Sequence, residues 1–375
     1  MNIDQALTLL GGLSPAQFMK RHWHKKPLLV RNAIPGFQPC VDRAALMALA
    51  AREDVESRLI VHGPKGWKMK YGPLPRRSLP PFSQKQWTCL VQGVDLHHDG
   101  VHQLMQQFRF VPDARLDDLM ISYATDGGGV GPHFDSYDVF LLQAHGQRRW
   151  RIGRQKDLSL QEGVPLKILQ DFEPEQEFML QPGDMLYLPP KYAHDGIAVG
   201  ECMTWSIGFR SPQVGELARE LLLGLADEAP ERAGPAIYRD PQQPAVMQPA
   251  AVPPALLDFA REALAQAQRD PHLLALLLGE YLTQPKAQVW FEAPEDLPRG
   301  AEGGVVLDRR SRMMYDERHV FINGEGFRVS GLDARLLRTL ANQRRLSATD
   351  RTRLSQGAQA ALQEWLDNGW LQPDR

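Results

Sequence analysis

Short segments of alternating or continuous apolar residues, separated by Gly, Pro and Asp, fill the chain from about Leu28 to Arg210. Their spacing is typical of antiparallel β-structure, in which each brief strand ends at turn-forming residues. Strands of this number and length close into a sandwich or barrel, and a double-sheet jelly roll is prominent among the options. The clearest strand-like segments are Leu119–Ala124, Val139–Gln143, Arg149–Ile152, Glu177–Leu180, Asp184–Leu188, Gly196–Val199 and Met203–Phe209. Helical periodicity precedes them at Asp4–Leu10, Pro15–Arg21 and Asp42–Arg52.

The pattern changes after these strands. Apolar residues then recur every three or four positions, which predicts a helix over Val214–Asp227. Seven prolines from Pro230 to Pro254 predict an extended connector, and helices are expected at Ala255–Arg269 and Pro271–Leu282. Because these helices carry more leucines than one small helical pair can bury, we expect them to form an interface with a partner helix.

The last segment, from about Gln288, mixes strand-like and helical patterns and is compatible with a winged-helix module. Acidic and basic residues balance from Phe291 onward, which argues against DNA binding, since a duplex requires excess positive charge. The sequence therefore predicts an α+β protein with three parts: a catalytic domain over residues 1–212, a helical region over 213–287 and a winged-helix-like domain over 288–375.

The formal net charge of -2 provides no overall field toward nucleic acid or an anionic membrane. Three widely separated cysteines, Cys40, Cys89 and Cys202, fit neither a disulfide framework nor a Cys-rich metal site. The first residues lack the pattern of a secretory signal, and no apolar run is long enough to cross a membrane. We expect a cytoplasmic protein that has reduced thiols and no membrane contact.

Two separate segments carry the residue types of a metal site. His133 and Asp135 lie two positions apart, so their side chains project to the same side of an extended backbone. The segment Pro182–His194 reads as a turn, a buried strand and a proline turn that deliver His194 to the next strand. Two imidazoles and one carboxylate can occupy one face of an octahedron, which predicts a non-haem Fe(II) site with open positions for a cosubstrate and dioxygen.

Each feature also has a simpler interpretation. A His-x-Asp pair alone is common in caps and turns. The glycines before His133 could be a phosphate-binding loop, but strand-like sequence follows where that loop needs a helix. Other histidines, which lack a supporting scaffold, are expected at the surface or in caps: His22, His24, His97, His98 and His102.

An arginine-rich strand, Arg148-Arg149-Trp150-Arg151, follows the first metal-site segment. An arginine can hold the terminal carboxylate of a dicarboxylic cosubstrate through two parallel hydrogen bonds. Strand alternation places Arg148 and Trp150 on one face and Arg149 and Arg151 on the other, so only one of these pairs can point inward. We expect Arg149 and Arg151 to face outward in solvated ion pairs.

These motifs resemble those of the JmjC-type, cupin-like 2-oxoglutarate oxygenases, and more narrowly the bacterial ribosomal oxygenases that hydroxylate an arginine of large-subunit ribosomal protein sixteen. The resemblance rests on Phe18–Arg31, Gly131–Asp135, Tyr137–Phe140, Arg148–Arg151, Pro182–His194, Ser206–Arg210 and Tyr238–Pro241. It covers nearly the whole chain, and the last third matches by layout more than by motif.

The resemblance implies a double-stranded β-helix that binds Fe(II) through His133, Asp135 and His194, and 2-oxoglutarate through Arg148, with Ser206 near the cosubstrate. It also implies arginine hydroxylation on a large-subunit ribosomal protein, a homodimer formed by the helical region, and a C-terminal domain that binds no DNA. Tyr137 and Asp138 are candidates for a wall that receives the substrate arginine, or else serve as a core residue and a turn cap. Three alternatives remain: a demethylase, a small-molecule oxygenase, or a non-catalytic cupin scaffold.

Overall fold

A computed structural model describes residues 2–293 and 303–374, and the chain divides into two compact units, Met1–Ser211 and Pro212–Arg375. The first unit combines three short helices with nine strands among its described residues: α1 (Pro15–Arg21), β1 (Leu28–Val30), α2 (Arg43–Ala50), β2 (Ser57–Gly63), β3 (Gly66–Tyr71), β4 (Trp87–Val91), α3 (Asp99–Gln106), β5 (Leu116–Ala124), β6 (Val139–Arg154), β7 (Gln176–Leu180), β8 (Met185–Leu188) and β9 (Tyr192–Phe209).

All strand pairs of this unit are antiparallel and belong to one nine-stranded sheet, which confirms the predicted antiparallel β-structure. The sheet has the order β1-β8-β6-β9-β5-β4-β2-β3, and β7 pairs with the second half of β6. The long strands β6 and β9 pair along nearly their whole length, with irregular register around His145. An irregularity of this kind bends a strand, so β6 and β9 can contribute to both layers of a jelly roll.

Strand alternation separates two apolar clusters. Outward-facing residues of β5, β6 and β9 pack with the N-terminal helices in a large core that contains Phe18, Phe140, Tyr187 and Trp205. The opposite faces of β6 and β8 form a second, smaller cluster that includes Trp150. Polar residues that share this inner face are therefore enclosed by the jelly roll.

The element boundaries differ from the sequence-based prediction in two respects. Four of the expected short strands are halves of β6 and β9, because the bend in each strand interrupts the apolar pattern without ending the backbone pairing. The helix expected over Asp4–Leu10 is wrong. Among these residues only the 3₁₀ turn Thr8–Leu10 is regular, and Gly11 and Gly12 with φ of 65° and 83° follow it.

The second unit contains α4 (Val214–Ala233), α5 (Pro254–Ala267), α6 (Leu273–Thr283), β10 (Val305–Leu307), β11 (Met313–Tyr315), β12 (His319–Ile322), β13 (Glu325–Arg328), α7 (Gly331–Gln343), β14 (Arg345–Leu346), α8 (Ala348–Arg351), α9 (Gln356–Asp367) and β15 (Leu371–Pro373). Strands β11, β12 and β13 form one small sheet, and β14, β10 and β15 form another. A separate apolar core joins both sheets to α7 and α9. The predicted boundary at residues 287/288 lies within this unit and remains a prediction.

Helices α4, α5 and α6 contact one another, and α6 also packs on β11, β12 and β13. Helix α4 extends beyond the predicted end and includes Pro230, which was expected to lie in the connector. Several large apolar side chains of these helices are exposed, including Val214, Leu222, Leu264 and Leu274. None of the helices in the described part of the chain is both long and apolar enough to cross a membrane.

Candidate metal centre

The fold brings His133, Asp135 and His194 together although 58 other residues separate the last two in sequence. One ligand atom from each lies within 4.8 Å of the other two. His194 Nε2 is 3.6 Å from a carboxylate oxygen of Asp135, and the two imidazole centroids are 4.2 Å apart. Two nitrogens and one oxygen thus converge on a space that a single metal ion can occupy.

Backbone hydrogen bonds hold this arrangement. The amide of His133 donates to the carbonyl of His194 at 2.9 Å, and the amide of His194 donates back at 2.8 Å. The amide of Lys191 donates to the carbonyl of Asp135 at 2.7 Å. Since His194 begins its segment of the long strand β9, the sheet itself determines the spacing of the two imidazoles.

The second nitrogen of each imidazole contacts a backbone carbonyl. His133 Nδ1 lies 2.9 Å from the oxygen of Gly131, and His194 Nδ1 lies 2.9 Å from the oxygen of Tyr192. Each contact favours a hydrogen on Nδ1, which leaves the Nε2 lone pair free to bind a metal. Both rings are therefore oriented and in the correct tautomer for metal ligation.

Burial strengthens the ligand character of His194. Its side chain is enclosed, and burial followed by the nearby His133 lowers its pKa to about 4, against a smaller opposing effect of Asp135. At neutral pH the imidazole is therefore uncharged, as metal binding requires. Within residues 2–293 and 303–374, no fourth His, Cys, Asp or Glu joins the group, so the arrangement differs from a closed four-ligand structural zinc site.

Arg148 lies on the inner face of β6 and is only 5% exposed. One terminal nitrogen, Nη1, is 3.4 Å from the hydroxyl of Ser122, whereas Nε and Nη2 are buried and have no partner among the described residues. A buried, incompletely paired guanidinium is costly unless an anion completes its hydrogen bonds. The geometry therefore fits a carboxylate of a bound molecule.

Trp150 connects this cation to the metal-ligand cluster. Its ring lies 5.7 Å from the guanidinium carbon of Arg148 and 5.8 Å from the ring of His194. Its indole nitrogen is buried and has no described partner. A molecule that reaches from the three ligands to Arg148 would pass beside this indole. The sequence pattern placed Trp150 on the face of Arg148 but assigned it no role.

The other two arginines of β6 are oriented differently, as strand alternation requires. Arg151 pairs with the buried Asp195 at 2.5 Å, so its ion pair is partly buried and not a fully solvated one. Arg149 is half-buried on the same outer face. Neither residue shares the inner face of Arg148.

Ser206 lies on β9 opposite Met120 of β5 and is 8% exposed. Strand alternation places it on the face of Thr204, which pairs with Ser122, the contact of Arg148. The structure shows no hydrogen bond between Ser206 and Arg148. Ser206 therefore shares the enclosed face, and its role remains a prediction.

Two candidate wall residues, Tyr137 and Asp138, point to different sides of the sheet. Burial first, and then the negative charges of Asp135, Asp118 and Asp117, raise the pKa of the Tyr137 hydroxyl, so this phenol lies close to the metal-ligand carboxylate. Asp138 is fully buried among residues of the outer core. Its carboxylate is 2.5 Å from the hydroxyl of Tyr187 and 2.8 Å from Nε2 of His24.

Sequence reasoning therefore missed Asp117 and Asp118, which the fold places near Tyr137 as the structural position of Asp138 excludes that residue. Their acidic pair at the start of β5 was visible in the sequence, but an irregular register at this point obscures which side chain faces inward.

The remaining histidines have structural contacts. His98 Nδ1 accepts from the amide of Gly100 at the start of α3, and His22 Nδ1 contacts the carbonyl of Pro27. With His24 paired to Asp138, these positions agree with the expected capping and surface roles.

Two family models match the chain. The JmjC domain matches residues 103–217, which include all three metal-ligand candidates and Arg148, and the ROXA-like winged helix matches residues 263–372. Both were expected from the sequence, and the fold class of a jelly roll followed by a winged-helix domain is confirmed.

The chain is 36% identical over 320 residues to the ribosomal protein uL16 3-hydroxylase of Escherichia coli (strain K12), with 82% of this chain and 84% of the relative covered. It is 35% identical to a probable ribosomal oxygenase of Haemophilus influenzae, with 58% and 55% covered.

The X-ray structure of E. coli ycfD superposes with a TM-score of 0.83 at 31% identity and covers 96% of this chain and 98% of that one. A structure of the ribosomal oxygenase YcfD in complex with cobalt and 2-oxoglutarate superposes with a TM-score of 0.78, at the same identity and coverage. Agreement over almost the full length includes both units. The chain therefore belongs to the JmjC-type ribosomal oxygenases.

Proposed function

We propose that this protein is an Fe(II)- and 2-oxoglutarate-dependent oxygenase that hydroxylates an arginine side chain of a large-subunit ribosomal protein, the class to which uL16 belongs. The observation that carries the proposal is the pairing of an open His-Asp-His cluster with a buried arginine that lacks an anionic partner. Both groups lie on the enclosed face of the jelly roll, beside the same tryptophan.

The donor set fits ferrous iron. His133 and His194 supply neutral nitrogens and Asp135 supplies one negative oxygen, which leaves open positions on a six-coordinate ion. Bound iron and 2-oxoglutarate together supply the activation of dioxygen that C–H hydroxylation needs. The chain contributes the ligand spacing through the paired backbone of His133 and His194, and the tautomers through the carbonyls of Gly131 and Tyr192.

Arg148 would hold the distal carboxylate of 2-oxoglutarate. Its free Nε and Nη2 can donate two parallel hydrogen bonds, the geometry in which guanidinium groups recognise carboxylates. Trp150 would exclude water beside the cosubstrate because its ring fills the space between Arg148 and His194. We also assign Ser206 to the cosubstrate pocket on the basis of its inner-face position.

The substrate side supports a cationic side chain. Tyr137 is 39% exposed, so one edge of its ring can contact a ligand while its hydroxyl lies near Asp135. The charges of Asp117 and Asp118 act on the same phenol, so the ring borders an acidic region. A guanidinium suits such a surface because an aromatic face and carboxylates both attract it.

Incubation of the full-length protein with Fe(II), 2-oxoglutarate and purified large-subunit ribosomal proteins tests the proposal. We expect mass spectrometry to detect a gain of one oxygen on an arginine, dependent on both cofactors. Loss of a methyl group from a methylated residue would favour a demethylase, and oxidation of another side chain would contradict the arginine assignment. A lack of any 2-oxoglutarate turnover would favour a non-catalytic scaffold.

We further propose that the protein is a cytoplasmic homodimer whose second unit binds no duplex DNA. The exposed apolar side chains on α4, α5 and α6 support the dimer, since a surface of this kind is stabilised by burial. All three cysteines are free, which fits a reducing compartment. The balanced charge of the C-terminal segment argues against duplex DNA.

A further inference from the structure

A groove of about 630 Å³ lies in the second unit, between one face of α7 and the edge of the β11–β13 sheet. Its helix side includes Arg335 and Arg338, one turn apart, and its sheet side includes Arg318 and Arg328. Four guanidinium groups therefore surround one cavity. Glu317 is the one carboxylate that lines it, so the described lining carries a net charge of +3.

The four guanidinium groups form no ion pair with a carboxylate of the described residues, although most other arginines of this unit do. Arg310, Arg345 and Arg353, for example, pair with Asp308, Asp374 and Asp350. Like charges around one cavity repel one another unless an anion binds between them. The local electrostatic field therefore favours a negatively charged ligand.

Arg338 is held in a position from which it can contact such a ligand. Its Nη2 donates to the backbone carbonyls of Asp316 and Glu317 at 3.0 and 2.9 Å, and its guanidinium lies over the ring of Tyr315. Its Nε is buried and has no partner among the described residues. An anchored guanidinium with an unused donor loses little conformational entropy when it binds an anion.

The rest of the lining adds hydrogen-bond donors. Ser330 precedes α7 and makes no side-chain cap, and Gly331 and Thr339 lie on the same helix face. The amides at the start of a helix carry partial positive charge and add to the field of the arginines. Multiple donors arranged along a groove suit a ligand that has several acceptor oxygens on each anionic group, as phosphates do.

We propose that this groove binds a ligand with closely spaced phosphate groups. The positive charge is local, because the segment as a whole is neutral, so the groove lacks the extended positive surface that a DNA duplex requires. Its size fits a free polyphosphate compound or a short part of a single RNA strand. These two sources share the same chemistry, and separate arms of one experiment distinguish them.

The experiment measures fluorescence anisotropy of a labelled single-stranded RNA 12-mer with the full-length protein over a series of salt concentrations, and then competition by inorganic pyrophosphate. The test variant combines Arg318→Glu and Arg335→Glu, both exposed and without an ion pair. The matched control combines Arg345→Glu and Arg353→Glu, which make the same charge change in the same unit outside the groove. Thermal unfolding of both variants verifies that they fold.

We expect the groove variant to weaken RNA binding by about tenfold or more and to reduce the slope of log affinity against log salt by about 2, since each lost phosphate contact removes about 1. The control is expected to change affinity by less than about twofold. Displacement of RNA by pyrophosphate would show that free phosphates occupy the groove, and RNA binding without displacement would identify the strand as the source.

Three results would overturn the proposal. Equal weakening in the two variants would mean that general charge, and not the groove, attracts the RNA. A polyglutamate peptide that binds the groove as tightly as RNA would show that any polyanion suffices. Absence of RNA and pyrophosphate binding at low salt would exclude a phosphate site.

Discussion

The two units place unsatisfied groups on opposite sides of their surfaces. In the first unit, polar groups without complete partners are inside, where Arg148 and His194 are buried within the jelly roll. In the second unit, the uncompensated groups are outside, as exposed apolar side chains on α4–α6 and as arginines around a groove. A buried unsatisfied group is matched to a small ligand, whereas an exposed one is matched to a partner that covers it.

The largest expected effect is on the metal-ligand cluster. Replacement of His133 by Ala removes one of three ligands, so we expect 2-oxoglutarate turnover to fall to background and Co(II) binding, measured by calorimetry, to be lost. The free energy of unfolding should change by less than about 1 kcal/mol, because the ring makes few apolar contacts.

The exposed His145 at the bend of β6 provides a matched control, and His145→Ala is expected to retain metal binding. Full activity in the His133→Ala variant would refute the assignment of the first unit as the catalytic one.

The second effect concerns the buried cation. Arg148→Met is expected to weaken 2-oxoglutarate binding by about 30-fold or more, equivalent to about 2 kcal/mol, because it removes the partner of a buried carboxylate. Without cosubstrate the same variant should be as stable as the parent or more stable, since burial of an unpaired charge is costly.

Binding by calorimetry and unfolding by urea measure the two parts of this prediction. Arg149→Met on the outer face of the strand is the control, and it should leave cosubstrate affinity unchanged. A stability loss in unliganded Arg148→Met would show that the guanidinium is structural and not poised for a ligand.

The third effect tests the exposed apolar surface of the second unit. Leu222→Lys places a charge on α4, and we expect the dimer dissociation constant to increase by about 30-fold or more, as for a central interface residue. Sedimentation at several concentrations measures it. Val246→Lys, an exposed apolar position in the connector, should leave assembly unchanged. A monomeric parent protein would remove the contrast between the two units.

The smallest effect compares packing within the second unit. A Cβ at Gly279 of α6 would lie 2.3 Å from the buried ring of Phe321, so Gly279→Ala should destabilise this unit by about 1–3 kcal/mol. Gly215→Ala in α4 meets no atom within 4 Å and should stabilise slightly through helix propensity. Urea unfolding measures both. Unchanged stability in Gly279→Ala would indicate that α6 shifts freely on the sheet.

Alternation and turn residues predicted much of the fold. The apolar face of β5, the turn before β8 and the helices α1 and α6 follow from short-range patterns that survive in the structure. Boundaries inside β6 and β9 were missed because a bend interrupts the apolar pattern while backbone pairing continues. Helix α4 passes through Pro230 because the groups that proline cannot satisfy are less costly than ending a packed helix.

The sequence by itself determined the residue types of the site, because ligand chemistry depends on side-chain identity and His133, Asp135 and His194 have it wherever they lie. It also determined which face of β6 carries Arg148, because strand alternation is local. Only the tertiary structure decided that Asp138 pairs with His24 and Tyr187, that Asp117 and Asp118 approach Tyr137, and that four arginines surround a groove. These contacts join residues distant in sequence, and the packing of whole strands and helices, not local pattern, sets their distances.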